Sequence, residues 1–169
     1  MNDSAERLWS EFLASGSPAA DAAQGAPYTS WAFGDSADMA DRLLAFVLGG
    51  GKRATCGSLW GYEARDEALP VAGEFSVVLD GSGVARCVIE TTSIEIVAYC
   101  DVDADFARAE GEGDLSLDYW RCGHWAYFER ELGALGMAPQ ADMPLVCERF
   151  EVVYAPGASR VADTVAAED

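Results

Sequence analysis

Lysine and histidine are almost absent from this chain of 169 residues, which holds one of each, Lys52 and His124. The remaining positive charge is arginine, and 11 basic side chains stand against 29 Asp and Glu for a formal charge of −18. A balance this acidic excludes tracking along a long nucleic-acid duplex or binding to an anionic membrane surface, since both depend on positive potential. Long apolar runs are also missing, and none approaches the ~18 residues of a membrane-spanning helix. The N-terminus, Asn2-Asp3-Ser4-Ala5-Glu6, lacks the basic-then-apolar order of a signal peptide, so a cytoplasmic location is expected. Five cysteines occur, at 56, 87, 100, 122 and 147. Their number is odd and no pair has C-x-x-C spacing, which points to reduced, buried thiols rather than a disulfide framework. With one histidine and no cysteine pair, no metal ligand set is expected, a structural zinc site least of all. What is present is enough apolar material, 50% of residues with 11% aromatic, for one domain with a real core.

Periodicity divides the chain. Leu8, Trp9, Phe12 and Leu13 form one apolar helix face over 5–14, with Ser4 as its expected N-cap. A Gly/Ala/Ser/Pro-rich stretch, 16–28, reads as a connecting loop. An extended piece follows at 30–33, then a helix capped by Ser36 that runs to Leu48 and stops at Gly49-Gly50-Gly51. A short strand or turn at 53–56 precedes helical turns over 59–65. From Glu74 the period becomes two: a hairpin of 75–79 and 85–89 around Asp80-Gly81-Ser82-Gly83, a further strand at 93–99, and a last one at 143–154. Helices are expected near 104–109 and over 116–133. The sum is an α+β fold, a small, mostly antiparallel β-barrel decorated by several helices. The organisation reads as a helix and loop over 1–28, the domain proper over 29–155, and a mobile acidic tail over 156–169.

Several constellations could carry chemistry. Gly49-Gly50-Gly51-Lys52-Arg53 is not a Walker phosphate loop, because Phe46 replaces the required glycine and Arg53 the required Ser or Thr. A glycine-rich helix end followed by two cations can still hold an anion, or simply stop a helix. In a chain that otherwise uses arginine, the one lysine marks a position where a group able to lose its proton, as base or nucleophile, could serve. Asp101, Asp103, Asp105 and Glu112 have EF-hand spacing, but Phe106 stands where the loop needs glycine. Asp103 is therefore read as a helix cap, with Asp105 in the first turn. Glu110-Gly111-Glu112-Gly113-Asp114 packs three carboxylates among glycines, either a solvated turn or a carboxylate bent toward a ligand. His124 lies on the Trp120-His124-Phe128 stripe of a helix and reads as a core residue. Trp31, Phe33, Trp60 and Trp120 also read as core, with the reservation that an aromatic bordering a cleft can stack a base.

Taken together, the segments from Trp31 to Tyr154 resemble the ASCH domain family, a PUA-like β-barrel group, in its bacterial single-domain branch. The motif G-x-K-x-x-T is present as Gly50-Gly51-Lys52-Arg53-Ala54-Thr55. Around it stand Trp31-Ala32-Phe33-Gly34, Ser58-Leu59-Trp60, Val88-Ile89-Glu90-Thr91-Thr92, the acidic run continued to Leu117, and Cys147-Glu148-Arg149-Phe150. The resemblance implies an RNA-related role. One bacterial type of the family hydrolyses the amide of N4-acetylcytidine, and another is a metal-assisted ribonuclease on single-stranded RNA. By motif position the catalytic set falls on Lys52, Thr55 and Glu112. Arg53, Trp31, Phe33, Ser58, Trp60 and Ser116 are the ligand-binding candidates of the same blocks. Two positions depart from the family pattern: Gly57 replaces an arginine of the extended motif, and Phe46 replaces the tyrosine of the ribonuclease type.

The expected function is a small hydrolase acting on a modified nucleoside or short single-stranded RNA, in a cleft made locally positive by Lys52 and Arg53. The alternative is a non-catalytic RNA- or nucleotide-binding or metabolite-sensing module using the same cleft. No cofactor is required for amide hydrolysis, and a divalent metal enters only with the ribonuclease chemistry. In the hydrolytic reading a desolvated Lys52 loses its proton and activates Thr55 or water.

Overall fold

The structure is a computed structural model and describes residues 2–157. Helix α1 (Asp3–Leu13) starts at Asn2, whose side chain accepts from the amides of Ser4 and Ala5, one residue pair earlier than the cap expected at Ser4. A short α2 (Pro18–Ala22) breaks the expected loop; it is capped by Ser17 with proline at its first turn, both favourable there. Strand β1 (Tyr28–Trp31) leads to α3 (Ala37–Leu48), capped by the Ser36 hydroxyl on the Met39 amide. Next come β2 (Ala54–Ser58), α4 (Leu59–Arg65), β3 (Phe75–Leu79) and β4 (Ala85–Ala98). Helices α5 (Ala104–Glu110) and α6 (Leu117–Ala134) precede β5 (Pro144–Tyr154). Asp103 caps α5 as expected, accepting from the Phe106 amide, and Ser116 caps α6.

The strands form one five-stranded mixed sheet in the order β1-β3-β4-β5-β2. All neighbours are antiparallel except β1 and β3, which run parallel from Tyr28↔Phe75 to Trp31↔Val78. The expected barrel is therefore corrected to an open sheet. Closure requires the two edge strands to pair, and here β1 and β2 stand at opposite edges. The two strands expected at 85–89 and 93–99 are one long strand, β4. Its pairing with β5 shifts register between Thr91 and Ser93. Such a bulge bends a strand and re-aims side chains without ending it, which explains why the alternation breaks there in sequence.

Three apolar clusters hold helices to the sheet. Leu8, Trp9 and Phe12 of α1 pack on Phe75, Val77 and Val88. Leu43, Leu44 and Val47 of α3 meet Val78, Cys87, Ile89 and Phe150. The alternation Val77/Val78 thus seats α1 and α3 on opposite faces of the sheet. Phe106 of α5 and Trp120, Phe128 and Leu132 of α6 pack with Met143, Leu145 and Cys147 at the other end. The N-terminal segment consequently shares its core with the rest of the domain. All five cysteines are free thiols, but Cys100 and Cys122 are exposed, contrary to the expectation that all would be buried. No described helix is long and apolar enough to cross a membrane. The expected tail lies outside the described residues beyond Gly157.

Candidate functional site

Two glycine turns set the site. At the end of α3 the Gly51 and Lys52 amides both donate to the Phe46 carbonyl, at 2.9 and 3.1 Å, with Gly50 at φ +82°. This closes the helix in the left-handed manner that glycine allows. At the end of α5 Gly111 has φ +72°, and a Cβ there would lie 2.2 Å from the Gly51 carbonyl oxygen. The two turns therefore nest only because residue 111 has no side chain. The Arg53 amide donates to the Ala109 carbonyl at 2.7 Å, and the Phe150 amide donates to the Arg53 carbonyl at 3.0 Å. Lys52 is thus fixed between α3, α5 and β5 before its side chain makes any contact.

Its ammonium is buried, 1% exposed, and donates to Glu110 Oε2 at 2.5 Å and to Glu112 Oε1 at 2.9 Å. A third contact, to the Glu110 carbonyl oxygen, is 3.4 Å and long for a hydrogen bond. Phe33 lies beneath Nζ at 5.6 Å. Glu110, also 1% exposed, is completed by His124 Nε2 at 3.2 Å and by donation from Trp120 Nε1 at 3.3 Å. The His124 ring stacks on the Trp120 indole at 4.2 Å, and its Nδ1 lies 3.0 Å from the Trp120 carbonyl. Both ring nitrogens face oxygen atoms, a setting that favours the imidazolium form of His124. The network sets Lys52 and His124 against two carboxylates, Glu110 and Glu112.

The titration behaviour follows from that balance. Burial alone would lower Lys52, but Glu110 and Glu112 outweigh it and raise its pKa. Burial would raise Glu110, yet Lys52 and His124 hold it below the usual carboxylate range. For His124 burial is again opposed by Glu110, and the net shift is upward. A Lys52 that sheds its proton to become a base is thereby corrected: this ammonium stays charged, as a donor and electrostatic anchor.

The network opens on a cleft of about 670 Å³. Lys52, Thr55 and Glu112 all line it, as do Trp31 and Phe33, whose rings meet edge to face at 4.7 Å and 80°. Glu112 is the more accessible of the two network carboxylates at 23% exposed. The other candidates lie elsewhere. Arg53 is exposed and outside the cleft, held by its amide on the Ala109 carbonyl and its carbonyl on the Phe150 amide. Ser58 is fully buried with its hydroxyl unpartnered, Trp60 packs in the α6 cluster, and Ser116 accepts from the Tyr119 amide as a helix cap. Glu110, His124, Trp120 and Glu148 line the cleft without having been selected from the sequence.

Six carboxylates line it (Glu67, Glu74, Glu110, Glu112, Glu131 and Glu148) against Arg42, Lys52, Arg65 and His124. The expectation of a locally positive pocket made by Lys52 and Arg53 is accordingly corrected. Cys56 Sγ, a Glu110 oxygen and a His124 nitrogen lie within 4.8 Å of one another, a grouping that could hold a metal ion. The donor set does not suit one: Lys52 and His124 occupy the carboxylate, and burial pushes the Cys56 thiol well above its ordinary pKa, away from the thiolate that binds metals.

Residues 29–154 match the family model of the ASCH domain. The chain belongs to the ASCH domain family. Two solved structures share its architecture. The ASCH domain of Lactobacillus crispatus JV V101 is 34% identical, with 91% of this chain and 96% of that one covered and a TM-score of 0.84. A protein of Enterococcus faecalis V583 is 36% identical over 90% of this chain and 89% of its own, with a TM-score of 0.76. No curated protein matches the chain. In this ASCH domain the motif lysine and threonine, 52 and 55, share one cleft with Glu110 and Glu112 at the end of α5.

Proposed function

We propose that this ASCH protein binds a nucleoside in the cleft and hydrolyses an amide on its base, of the N4-acetylcytidine type. The observation that carries the reading is the charged Lys52 ammonium, pinned by a buried Glu110 and paired with the more open Glu112 at the wall of an aromatic, acid-rich cleft. ASCH domains are proposed RNA binders, and family membership supports a nucleic-acid component as ligand. The surplus of carboxylates favours a nucleoside over a phosphate-rich strand, because each phosphate would meet like charge in a low-dielectric recess. Trp31, half-buried at the cleft wall and braced edge to face by the buried Phe33, offers the aromatic surface on which a base stacks.

In this scheme Glu112 takes a proton from water as the water oxygen bonds to the amide carbon. The carbonyl electron pair moves to oxygen, facing the Lys52 ammonium and the Thr55 hydroxyl. Lys52 has a donor to offer, since its third contact is the long one to the Glu110 carbonyl. Collapse re-forms the carbonyl and breaks the C–N bond while Glu112 returns its proton to the departing amine, giving acetate and cytidine. Glu110 remains ionised throughout and acts as a positioning residue for Lys52. The ribonuclease reading is less well supported, with Phe46 lacking the hydroxyl of that type and carboxylates crowding the cleft. The test is release of cytidine and acetate from N4-acetylcytidine, followed by chromatography. Wild type should give both in equal amounts, and Lys52→Met and Glu112→Gln should each lose about 10²–10⁴-fold. Absence of turnover in wild type, or turnover undiminished in both variants, would refute it.

A further inference from the structure

A second polar feature of the cleft takes no part in that chemistry. Glu148 on β5 is buried, 7% exposed, yet lines the cleft, and it stands directly opposite Thr55 in the β2–β5 register. Directly opposed residues of an antiparallel pair share a face, with Cβ atoms about 4.5–5.5 Å apart. The side chain of Glu148 therefore emerges beside the motif threonine. One oxygen, Oε1, accepts from the Thr91 hydroxyl at 2.6 Å. Thr91 is itself 2% exposed and fixed at both backbone groups: its amide donates to the Glu74 carbonyl at 2.9 Å, and its carbonyl accepts from the Gly73 amide at 2.8 Å. It also sits at the β4 bulge, the irregularity that aims it at Glu148.

The other oxygen, Oε2, has no hydrogen-bond partner among the described residues. It is also not among the sealed polar atoms lacking partners, which are Ser58 Oγ, Arg121 Nε and Glu131 Oε2, and so it opens on the cleft. A carboxyl group more than nine-tenths buried, with one oxygen clamped and the other presented to a cavity, is arranged to accept a donor from whatever occupies it.

We propose that Glu148 reads the base. Its free Oε2 accepts an N–H from the edge of the seated nucleobase, so the cleft selects bases with an exocyclic amino group over those with a carbonyl at that position. The inference rests on the nucleoside reading and deepens it by assigning the specificity group. A carbonyl presented at the same place sets oxygen against oxygen and leaves both lone pairs unmatched, which discriminates more strongly than a lost apolar contact. The clamp adds selectivity because the Thr91 hydroxyl holds one carboxylate oxygen in place and leaves the other to the cleft.

The experiment is calorimetric titration of the full chain with cytidine and with uridine at pH 8, for wild type, Glu148→Gln and Thr91→Val. Wild type should bind cytidine about tenfold or more tightly than uridine, the scale of one hydrogen bond to a charged group. In Glu148→Gln the charge is lost, and the Thr91 hydroxyl, which can donate or accept, lets either amide atom face the cleft. With no obligatory, charged acceptor left there, the cytidine preference should fall to near parity. Thr91→Val keeps the carboxyl but releases it, so the cytidine preference should shrink without reversing. That variant carries the test should Glu148→Gln fail to fold. An unchanged cytidine-to-uridine ratio in a folded Glu148→Gln, or in Thr91→Val, overturns the assignment, and so does a wild type that binds both nucleosides equally or neither. The outcomes separate from those of the hydrolysis reading. Selective binding that follows Glu148 without cleavage of N4-acetylcytidine sinks the chemistry alone, whereas cleavage with an unaltered ratio sinks only the role of Glu148.

Discussion

Replacing Glu110 by glutamine tests the buried network with almost no change of shape. The amide keeps one acceptor oxygen and nearly the same volume, so cavity formation contributes little. What changes is charge. Lys52 at 2.5 Å and His124 at 3.2 Å lose their shared anion and are left with Glu112 alone. Lys52 and Glu110 are each 1% exposed, so solvent does not soften the loss. Removing one partner of a buried ion pair costs about 3–5 kcal/mol, because the other charge stays behind uncompensated. For a domain of this size each kcal/mol lowers the melting temperature by about 2–4 °C. The expected fall is then roughly 6–20 °C. Urea unfolding at pH 7 measures the free-energy loss directly, and the slope against urea should be unchanged. A double cycle with Lys52→Met isolates the pair, and the combined variant should lose less than the sum of the single ones. A loss below about 1 kcal/mol, the range of exposed pairs, or strict additivity in the cycle would refute the network as drawn.

Two further predictions come from the same geometry. His124 is raised above its ordinary 6.5 by Glu110 against the opposing effect of burial, so its stabilising contribution is complete below about pH 6.5. It is lost as pH rises through the folded value; His124→Phe should flatten stability across that interval, and an identical pH profile for variant and wild type would contradict the imidazolium assignment. Gly111→Ala places a methyl group 2.2 Å from the Gly51 carbonyl and adds the strain of a positive φ. It should destabilise by about 1–3 kcal/mol or more and weaken turnover by displacing Glu110 and Glu112 from Lys52, whereas wild-type melting and turnover would show that the two turns need not nest.

Much of the local structure is legible in the sequence because its signals are local. Ser36, Asp103 and Ser116 cap helices by side-chain acceptance from an amide three residues on, and a cap followed by an apolar period is visible without a fold. Lys52, Thr55 and Glu112 stand out by motif and by the scarcity of lysine. Glu110 does not, since its neighbours Lys52 and His124 are 58 and 14 positions away and only the fold brings them together. The role of the acidic run is hidden for the same reason: Lys52 and His124, which face its carboxylates, are remote in the chain. The stripe Trp120-His124-Phe128 reads as core, but His124 is half-buried at the cleft and meets a carboxylate that the stripe does not reveal. Sheet closure is equally non-local, because strand count and alternation are the same for a barrel and for an open sheet with β1 and β2 at its edges. The outward turn of Arg53 is set by contacts remote in sequence, its amide on Ala109 and its carbonyl on Phe150.

In the proposed reaction an acylated base lies in this cleft with its amide between Lys52 and Glu112. A crystal structure of Glu112→Gln with N4-acetylcytidine, in which turnover is suppressed and the substrate persists, tests it most directly. The predicted result is the nucleoside in the cleft against Trp31, with its acetyl oxygen within hydrogen-bond reach, about 2.7–3.2 Å, of Lys52 Nζ. A nucleoside bound outside the cleft, or inside it with the acetyl group turned away from Lys52, would contradict the claim.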